Sequence, residues 1–243
     1  MAPEALGFEL VDAVALVLFM LAWVIHFWVI NVSSFRVGTI STQFAHYRGA
    51  WMSRMVAREA TAADVLIQTS VQQGVLFFAS TSILLIGALL AGLASADQAV
   101  SLLNDIPFAS TDTRVEWEAK VLLVVMIFIF AFFKFAWSYR LFNYCIIMIG
   151  AAPERLSPEQ SEDETPTERA RREHYGTAMG QLHTLAAKHF TTGLNAYFFA
   201  LCVVAWFLNA WTFMAATIWV SLVLYRRAFR SNFMRVLSGI EID

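Results

Sequence analysis

Residues 121–150 have the sequence VLLVVMIFIFAFFKFAWSYRLFNYCIIMIG, in which Lys134 and Arg140 are the only charged side chains. A helix needs about 20 mostly apolar residues to cross the hydrocarbon core of a bilayer, which is roughly 30 Å thick. This stretch meets that length as a single helix. It therefore decides the fold class in favour of a helical membrane protein.

Other apolar stretches repeat this pattern along the chain. Residues 190–225 are too long for one helix and long enough for two that share a turn at Asn209, Ala210 and Trp211. The sequence thus predicts an all-α polytopic transmembrane helical bundle with about five spans, four being possible, in one membrane domain over residues 1–243. The predicted spans lie near residues 10–32, 74–93, 117–137, 190–208 and 210–227.

The composition excludes several classes of protein. Hydrophobic residues make up 58% of the chain and charged residues 15%, whereas soluble domains contain about 25% charged residues. The net charge of −2 provides no basic surface of the kind that a nucleic-acid partner requires. We therefore expect a membrane protein that has no nucleic-acid partner.

The distribution of Lys and Arg predicts the orientation, because short loops rich in these residues stay in the cytoplasm. With five spans and the N-terminus outside, 15 of the 17 basic residues fall on the inner side. With four spans, the arginines of the C-terminal tail would lie outside, against the same rule. Glu9 and Asp12 stand where a cleaved signal peptide would be basic, so the first span is predicted to be permanent.

Some helices are predicted to continue beyond the bilayer into the cytoplasm. A helix over residues 61–93 would be about 50 Å long. Trp117 and Trp137 lie 20 residues apart, which corresponds to about 30 Å of helix and matches the distance between the two membrane interfaces. The apolar residues 141–149 then lie outside the lipid and must pack against protein, in a cytosolic bundle or in an oligomer.

Local signals mark where two of the helices begin. Thr61 with Asp64 is a variant of the capping box. Thr165 with Glu168 is the full capping box, and it places Pro166 at the first helical position.

The second capping box ends the one stretch of low complexity. Residues 153–168 carry six acidic and few apolar side chains, which predicts a mobile acidic linker. The helix that follows is expected to run on to the fourth span, loosened at Gly176, Gly180 and Gly193.

Basic and aromatic side chains share one face of a helix predicted over residues 42–59, and small side chains share the other. Arg48, Trp51, Arg54 and Arg58 belong to the basic face. We expect this face to contact anionic lipid headgroups, where each basic residue contributes about 1 kcal/mol. The alternative is an amphipathic connector that serves the topology alone.

Arg226 and Arg227 follow a fifth apolar stretch that is only 16 residues long, residues 210–225. Such a stretch is shorter than the bilayer core, and flanking arginines extend it by placing their heads among the phosphates. We expect the pair to contact lipid as an anchor. Pore gating or anion binding is the alternative.

Polar side chains on the apolar helices are candidates for function, because ionisable groups within a membrane are costly and mark pathways. Each candidate also has a structural interpretation, as a hydrogen-bonded packing residue or, for the two basic ones, as a side chain that reaches the interface. The sequence contains no recognisable catalytic motif, and neither a metal nor a cofactor is predicted. The intramembrane polar candidates are His26, Lys134, Arg140, Asn143, Asn195 and Asn209.

Several stretches together resemble a known family. They are FFAST at 77–81, FFKF at 132–135, FNYC at 142–145, GAAP at 150–153, KHF at 188–190, YFFAL at 197–201 and LYRR at 224–227. This pattern resembles the bacterial and plant membrane proteins known as domain of unknown function 599. The resemblance implies a membrane protein without an assigned activity. It also draws attention to the polar residues inside these stretches: Lys134, Asn143, His189, Arg226 and Arg227.

Three hypotheses about function follow. The first is a non-catalytic, homo-oligomeric conduit or transport-related protein of the bacterial inner (plasma) membrane. The second is an accessory or scaffold subunit that contacts anionic lipid and a membrane-protein partner. The third, a redox or metal protein that uses His26, would need a partner ligand at the same depth.

The orientation is testable with reporter fusions. Because the positive-inside rule places the N-terminus outside and the C-terminus in the cytoplasm, a reporter before Met1 should be active only outside and one after Asp243 only inside. Two reporters active on the same side would contradict five spans and restore four.

Overall fold

The computed structural model describes residues 9–31, 39–57, 62–105, 113–153 and 164–229. These residues form seven helices and no strand, which confirms the all-α prediction. Arg58, Thr61 and most of the acidic linker, residues 154–163, lie outside the described residues. The helices are α1 (Leu10–Asn31), α2 (Ile40–Ala57), α3 (Ala62–Leu93), α4 (Ala96–Asn104), α5 (Arg114–Gly150), α6 (Pro166–Trp206) and α7 (Ala210–Phe229).

Four of these helices, α1, α3, α5 and α6, are long and apolar enough to cross a membrane. Helix α5 has 37 residues and α6 has 41, each well above the roughly 20 that a bilayer requires. Helix α7 has 20 residues and is not among the four. The fifth span, the span boundaries and the single domain therefore stay predictions.

The start of α6 follows the capping signal in the sequence. The backbone N–H of Glu168 donates to Oγ1 of Thr165 (3.3 Å), and the backbone N–H of Thr165 donates to Oε2 of Glu168 (2.9 Å). This reciprocal pair satisfies two amide groups that the first helical turn leaves without partners. The predicted capping box is thus confirmed.

The break between α6 and α7 lies two residues earlier than expected. Helix α6 ends at Trp206, and Ala210 and Trp211 already belong to α7. Asn209 caps the new helix, because its Oδ1 accepts the backbone N–H of Thr212 at 2.8 Å.

Helix α6 runs without interruption through Gly176, Gly180 and Gly193, so the expected loosening is absent. Gly176 and Gly180 instead allow α2 to approach closely. A Cβ atom on Gly176 would lie 2.9 Å from the Cα of Ser53, and one on Gly180 would lie 2.7 Å from the Cα of Gly49. The two helices pack backbone against backbone, which only small residues permit.

The described chain forms two compact units. The terminal unit comprises residues 9–31, 39–40, 80–105, 113–132 and 192–229, and the central unit comprises residues 41–57, 62–79, 133–153 and 164–191. Three long helices, α3, α5 and α6, contribute residues to both units.

Aromatic side chains form much of the core of the terminal unit, where α1 packs along α7. Phe19 is fully buried, and its ring lies 5.8 Å from that of Phe199 in α6 and 5.2 Å from that of Phe213 in α7. Trp23 stacks on Phe199 at 5.4 Å. These contacts join three helices through side chains that bury large apolar areas.

Methionines and other flexible apolar side chains fill the core of the central unit. Met52 and Met55 of α2, Ile149 of α5 and Met179 of α6 form one buried cluster. Flexible thioether side chains suit an irregular space of this kind. Ile149 at the apolar end of α5 thus packs against protein, as predicted, whereas Tyr144 and Ile147 of the same stretch are exposed.

The close contact between α2 and α6 predicts an unusual effect of a glycine substitution. Alanine normally stabilises a helix relative to glycine by about 0.5–1 kcal/mol. Because the new Cβ would lie 2.7 Å from the Cα of Gly49, we expect Gly180→Ala to lower the free energy of unfolding by about 1–3 kcal/mol.

The matched control is Gly74→Ala in α3, since none of the described residues comes within 4 Å of a Cβ at that position. Both variants would be compared with the parent protein by denaturant unfolding in detergent. A Gly180→Ala protein as stable as the control would contradict the backbone contact.

Candidate functional site

Polar side chains from α2 and α3 in the central unit lie near one histidine of α6. His183 is 4% exposed, and Gln68 is fully buried. Aromatic side chains from α2 and α5 complete the surroundings. We call this group the His183 cluster: Arg48 and Trp51 of α2, Asp64 and Gln68 of α3, Phe142 of α5, and His183.

The imidazole of His183 is held between aromatic rings. The ring of Trp51 lies 5.3 Å away and that of Phe142 lies 5.0 Å away, both in edge-to-face arrangements. Neither Nδ1 nor Nε2 of His183 has a hydrogen-bond partner within the described part of the chain. A buried polar group left in this state costs about 1–3 kcal/mol.

Trp51 is fixed by a hydrogen bond to a buried carboxylate. Its Nε1 donates to Oδ1 of Asp64 at 2.6 Å. From the sequence, Trp51 was predicted to lie on a lipid-facing surface and Asp64 in a capping box. In the structure the indole N–H is directed to α3 instead, because a buried carboxylate there accepts it.

Two glutamines of α3 extend the polar surface along α5. The Nε2 of Gln68 donates to the backbone oxygen of Phe142 at 3.5 Å, and the Nε2 of Gln72 donates to Oδ1 of Asn143 at 3.1 Å. The Oε1 of Gln68 has no partner among the residues described. Asn143, a predicted polar candidate, therefore lies beside the cluster.

Arg48 brings a positive charge to the cluster. Its guanidinium stands 5.5 Å from the ring of Phe44 and close enough to His183 to act on it electrostatically. The Nη1 atom is buried and finds no acceptor among the described residues. Burial lowers the pKa of Arg48, but a guanidinium in a protein stays protonated at neutral pH.

The residues of the basic face of α2 therefore have different environments. Arg54 is exposed, and its contact with lipid headgroups stays a prediction. Trp51 instead donates to Asp64 of α3 and borders His183 of α6, and the contact between Gly49 and Gly180 brings α2 against α6.

The cluster combines one guanidinium, one carboxylate, one amide and one imidazole between aromatic walls. Its atoms without partners are a charged donor on Arg48, an acceptor on Gln68, and both nitrogens of His183. A neutral imidazole donates from one nitrogen and accepts at the other. Such a set fits a small polar molecule that has both donors and acceptors. No three His, Cys, Asp or Glu side chains of the described residues form a group suited to a metal ion.

The terminal unit contains a second polar network. Trp206 donates from Nε1 to Oδ1 of Asp12 at 2.7 Å and accepts at its backbone oxygen from Nζ of Lys120 at 3.3 Å. Lys120 is 2% exposed, and its ammonium also lies 5.4 Å from the Trp206 ring. This network joins α1, α5 and α6 through satisfied groups, so we interpret it as structural.

The predicted polar candidates of the terminal unit have separate environments. The ring of His26 lies 5.6 Å from that of Phe199, and its Nε2 has no partner among the described residues. Asn195 is half-buried, and Asn209 serves as the cap of α7.

The remaining basic candidates have aromatic neighbours or lie at the surface. Arg140 is exposed, donates to the hydroxyl of Tyr144 at 3.0 Å and lies 5.7 Å from the Trp137 ring. Lys134 is half-buried. Arg226 and Arg227 are exposed in the last turn of α7, where Arg227 lies 5.9 Å from the Phe198 ring.

Three residues of this polar surface were not predicted from the sequence: Gln68, Gln72 and His183. A signal for the two glutamines was present, because Asp64, Gln68 and Gln72 recur every four residues and so share one face of α3. His183 carries no comparable signal. It stands among apolar and small residues, as a packing histidine does.

The comparisons with known proteins identify a family and no characterised relative. The model of the family described as "Protein of unknown function, DUF599" matches residues 14–233. No curated protein and no solved structure matches the chain. The match includes every residue of the His183 cluster.

A double-mutant cycle tests the bond between Trp51 and Asp64. Each of Trp51→Phe and Asp64→Asn should lower the free energy of unfolding, and the coupling between them should be about 1.5–3 kcal/mol, as for hydrogen bonds to charged groups. The measurement is denaturant unfolding in detergent, with Trp137→Phe, at an exposed tryptophan, as the control. Strictly additive effects would show that the bond contributes no coupling.

Proposed function

The chain belongs to the DUF599 family of proteins of unknown function, and we propose that it is a non-catalytic, transport-related membrane protein whose His183 cluster binds a small polar solute. We propose further that the protein is a homo-oligomer of the bacterial inner membrane, that its N-terminus lies outside, and that it contacts membrane lipid.

The main support for this proposal is that both ring nitrogens of His183 are buried without hydrogen-bond partners in the described chain. Buried polar atoms in folded proteins almost always have hydrogen-bond partners. Both ring nitrogens of His183 lack one in the described chain, beside a buried Nη1 of Arg48 in the same condition. Unmet donors and acceptors at one place, between aromatic walls, are typical of a ligand site.

A polar pair within the predicted spans supports transport rather than binding alone. In the terminal unit, Ser82 of α3 and Tyr197 of α6 share a hydrogen bond of 2.9 Å. Polar side chains on helices that are long and apolar enough to cross a membrane mark solute pathways by default.

A second candidate function is an accessory or scaffold subunit that contacts anionic lipid and a membrane-protein partner. Its support is the exposure of Arg54, Arg226 and Arg227. Basic groups near anionic headgroups strengthen association with a membrane surface. This function requires no solute flux and predicts a stable heteromeric complex.

Proteoliposomes distinguish the two functions. Purified protein would be tested for uptake of radiolabelled amino acids, hydroxy acids and inorganic ions under imposed gradients. We expect saturable uptake of one solute class, and we expect His183→Phe to reduce it about tenfold or more, because the ring nitrogens are lost while the aromatic packing is kept.

The matched control is His174→Phe, which changes an exposed histidine of the same helix and should leave uptake unchanged. Absence of flux for every solute and gradient would contradict the transport proposal. A membrane protein that crosslinks to the chain in cells would then favour the accessory function.

A further inference from the structure

We propose that the inner end of the predicted α5 span contains a binding site for an anionic phospholipid of the phosphatidylglycerol type, on a surface that α5 and α6 form together. We call it the Trp137 surface: Trp137, Arg140 and Tyr144 of α5, and His189 of α6. The inference rests on one part of the proposed function, the contact with membrane lipid, and names its place and its lipid class. Its residues are distinct from those of the His183 cluster.

Helices α5 and α6 are held together at the level of this surface. The hydroxyl of Ser138, which is fully buried, donates to the backbone oxygen of Ala186 at 2.8 Å. Ala186 is also fully buried, and small residues of this kind let two helices approach closely. Trp137 adjoins Ser138 and His189 lies about one turn after Ala186, so their rings come within 6.4 Å of each other. The bond between the helices therefore fixes the side chains of the surface relative to one another.

Arg140 is positioned by the two aromatic side chains beside it. Its Nη2 donates to the hydroxyl of Tyr144 at 3.0 Å, and its guanidinium lies 5.7 Å from the Trp137 ring and 6.0 Å from the Tyr144 ring. No carboxylate of the described residues forms an ion pair with it. A guanidinium has five N–H donors in a planar fork, and this fork matches the oxygens of a phosphate. Most donors of Arg140 therefore remain for a ligand.

Further positive charge lies beside Arg140. Lys134 and Lys188 are close enough to His189 to act on it electrostatically, and His189 borders the same indole ring as Arg140. Basic groups concentrated at a membrane interface attract anionic lipids. A zwitterionic headgroup brings an ammonium group of its own, which these cations repel. The charge of the surface therefore selects a lipid with a net negative headgroup.

The position of the surface on α5 favours a lipid over a soluble anion. Phe133, Trp137, Arg140 and Tyr144 recur every three or four residues, so they share one face of the helix. Phe133 is 65% exposed within the predicted span, and Trp137 is 44% exposed at its inner end, where tryptophan is enriched at the level of the headgroups. Arg140 follows about 4.5 Å further along the axis. One phospholipid can thus place an acyl chain against Phe133 and its phosphate at Arg140.

Thermal unfolding of the full chain in detergent tests the proposal without a transport assay. A ligand that binds only the folded state raises the unfolding temperature as its concentration increases. Four probes would be compared: dioleoyl phosphatidylglycerol, dioleoyl phosphatidylcholine, dioleoyl phosphatidylethanolamine and glycerol 3-phosphate. We expect a concentration-dependent rise with phosphatidylglycerol. The two zwitterionic lipids, and glycerol 3-phosphate, which lacks acyl chains, should have little effect.

Substitution of Arg140 locates the site. Arg140→Gln should weaken phosphatidylglycerol binding about tenfold or more, since it removes charge-assisted hydrogen bonds to the phosphate. The matched control is Arg171→Gln, which removes the same charge from an exposed position of α6, about 27 Å of helix away from His189. This control should bind the lipid as the parent does.

Arg140→Lys separates the shape of the guanidinium from its charge. Lysine keeps the charge and lacks the planar fork, so binding should be weaker than in the parent and stronger than in Arg140→Gln. Each variant is compared with its own unfolding temperature without lipid, which separates a loss of binding from a loss of stability. A merely structural role of Arg140 would lower that temperature and leave the rise caused by phosphatidylglycerol unchanged.

Three results would overturn the inference. They are a zwitterionic lipid that stabilises the protein as well as phosphatidylglycerol does, glycerol 3-phosphate that does so, and an Arg140→Gln protein that responds to phosphatidylglycerol as the parent does. Stabilisation by phosphatidylglycerol that depends on Arg140, in a protein without flux in proteoliposomes, would uphold the inference and refute transport. Flux in a protein that no lipid stabilises would uphold transport and refute the inference.

Discussion

The contact between α2 and α6 at Gly49 and Gly180 is the constraint on which the candidate site depends. A Cβ on Gly180 would lie 2.7 Å from the Cα of Gly49, so the two backbones leave no room for a larger residue. Arg48 and Trp51 flank Gly49 in α2, and this approach is what brings them to His183. Glycine weakens a helix interior by about 0.5–1 kcal/mol, and here the packing that it permits offsets that cost.

The sequence predicted those features of the fold that depend on local chemistry. Apolar length identified the membrane helices, and the capping box of Thr165 and Glu168 identified the start of α6, because both signals act within a few residues. The glycines of α6 were misinterpreted as points of loosening. Their role depends on a helix more than 120 residues earlier in the chain, and neither composition nor periodicity records which distant backbone a glycine faces.

The candidate site was predictable only in part, for a related reason. Arg48 and Trp51 were correctly placed on one face of a helix, but a basic and aromatic face suits anionic lipid as well as it suits a buried carboxylate. The position of Asp64 in the fold decides between these two partners, and that position is set by tertiary packing. His183 was not predicted, because an isolated histidine among apolar residues has no periodic signal, whatever its hydrogen bonds are.

Each unit contains a tryptophan that donates a hydrogen bond to an aspartate. The groups that lie beside these two pairs differ in whether they have hydrogen-bond partners. Trp206 donates to Asp12 at 2.7 Å in the terminal unit, and Trp51 donates to Asp64 at 2.6 Å in the central unit. Beside the first pair, the cation of Lys120 bonds to a backbone carbonyl. Beside the second, Arg48 and His183 retain buried nitrogens without partners in the described chain. A tryptophan bonded to an aspartate therefore joins helices in both units, and the atoms without partners beside Trp51 are the basis on which we propose that the central unit binds a solute.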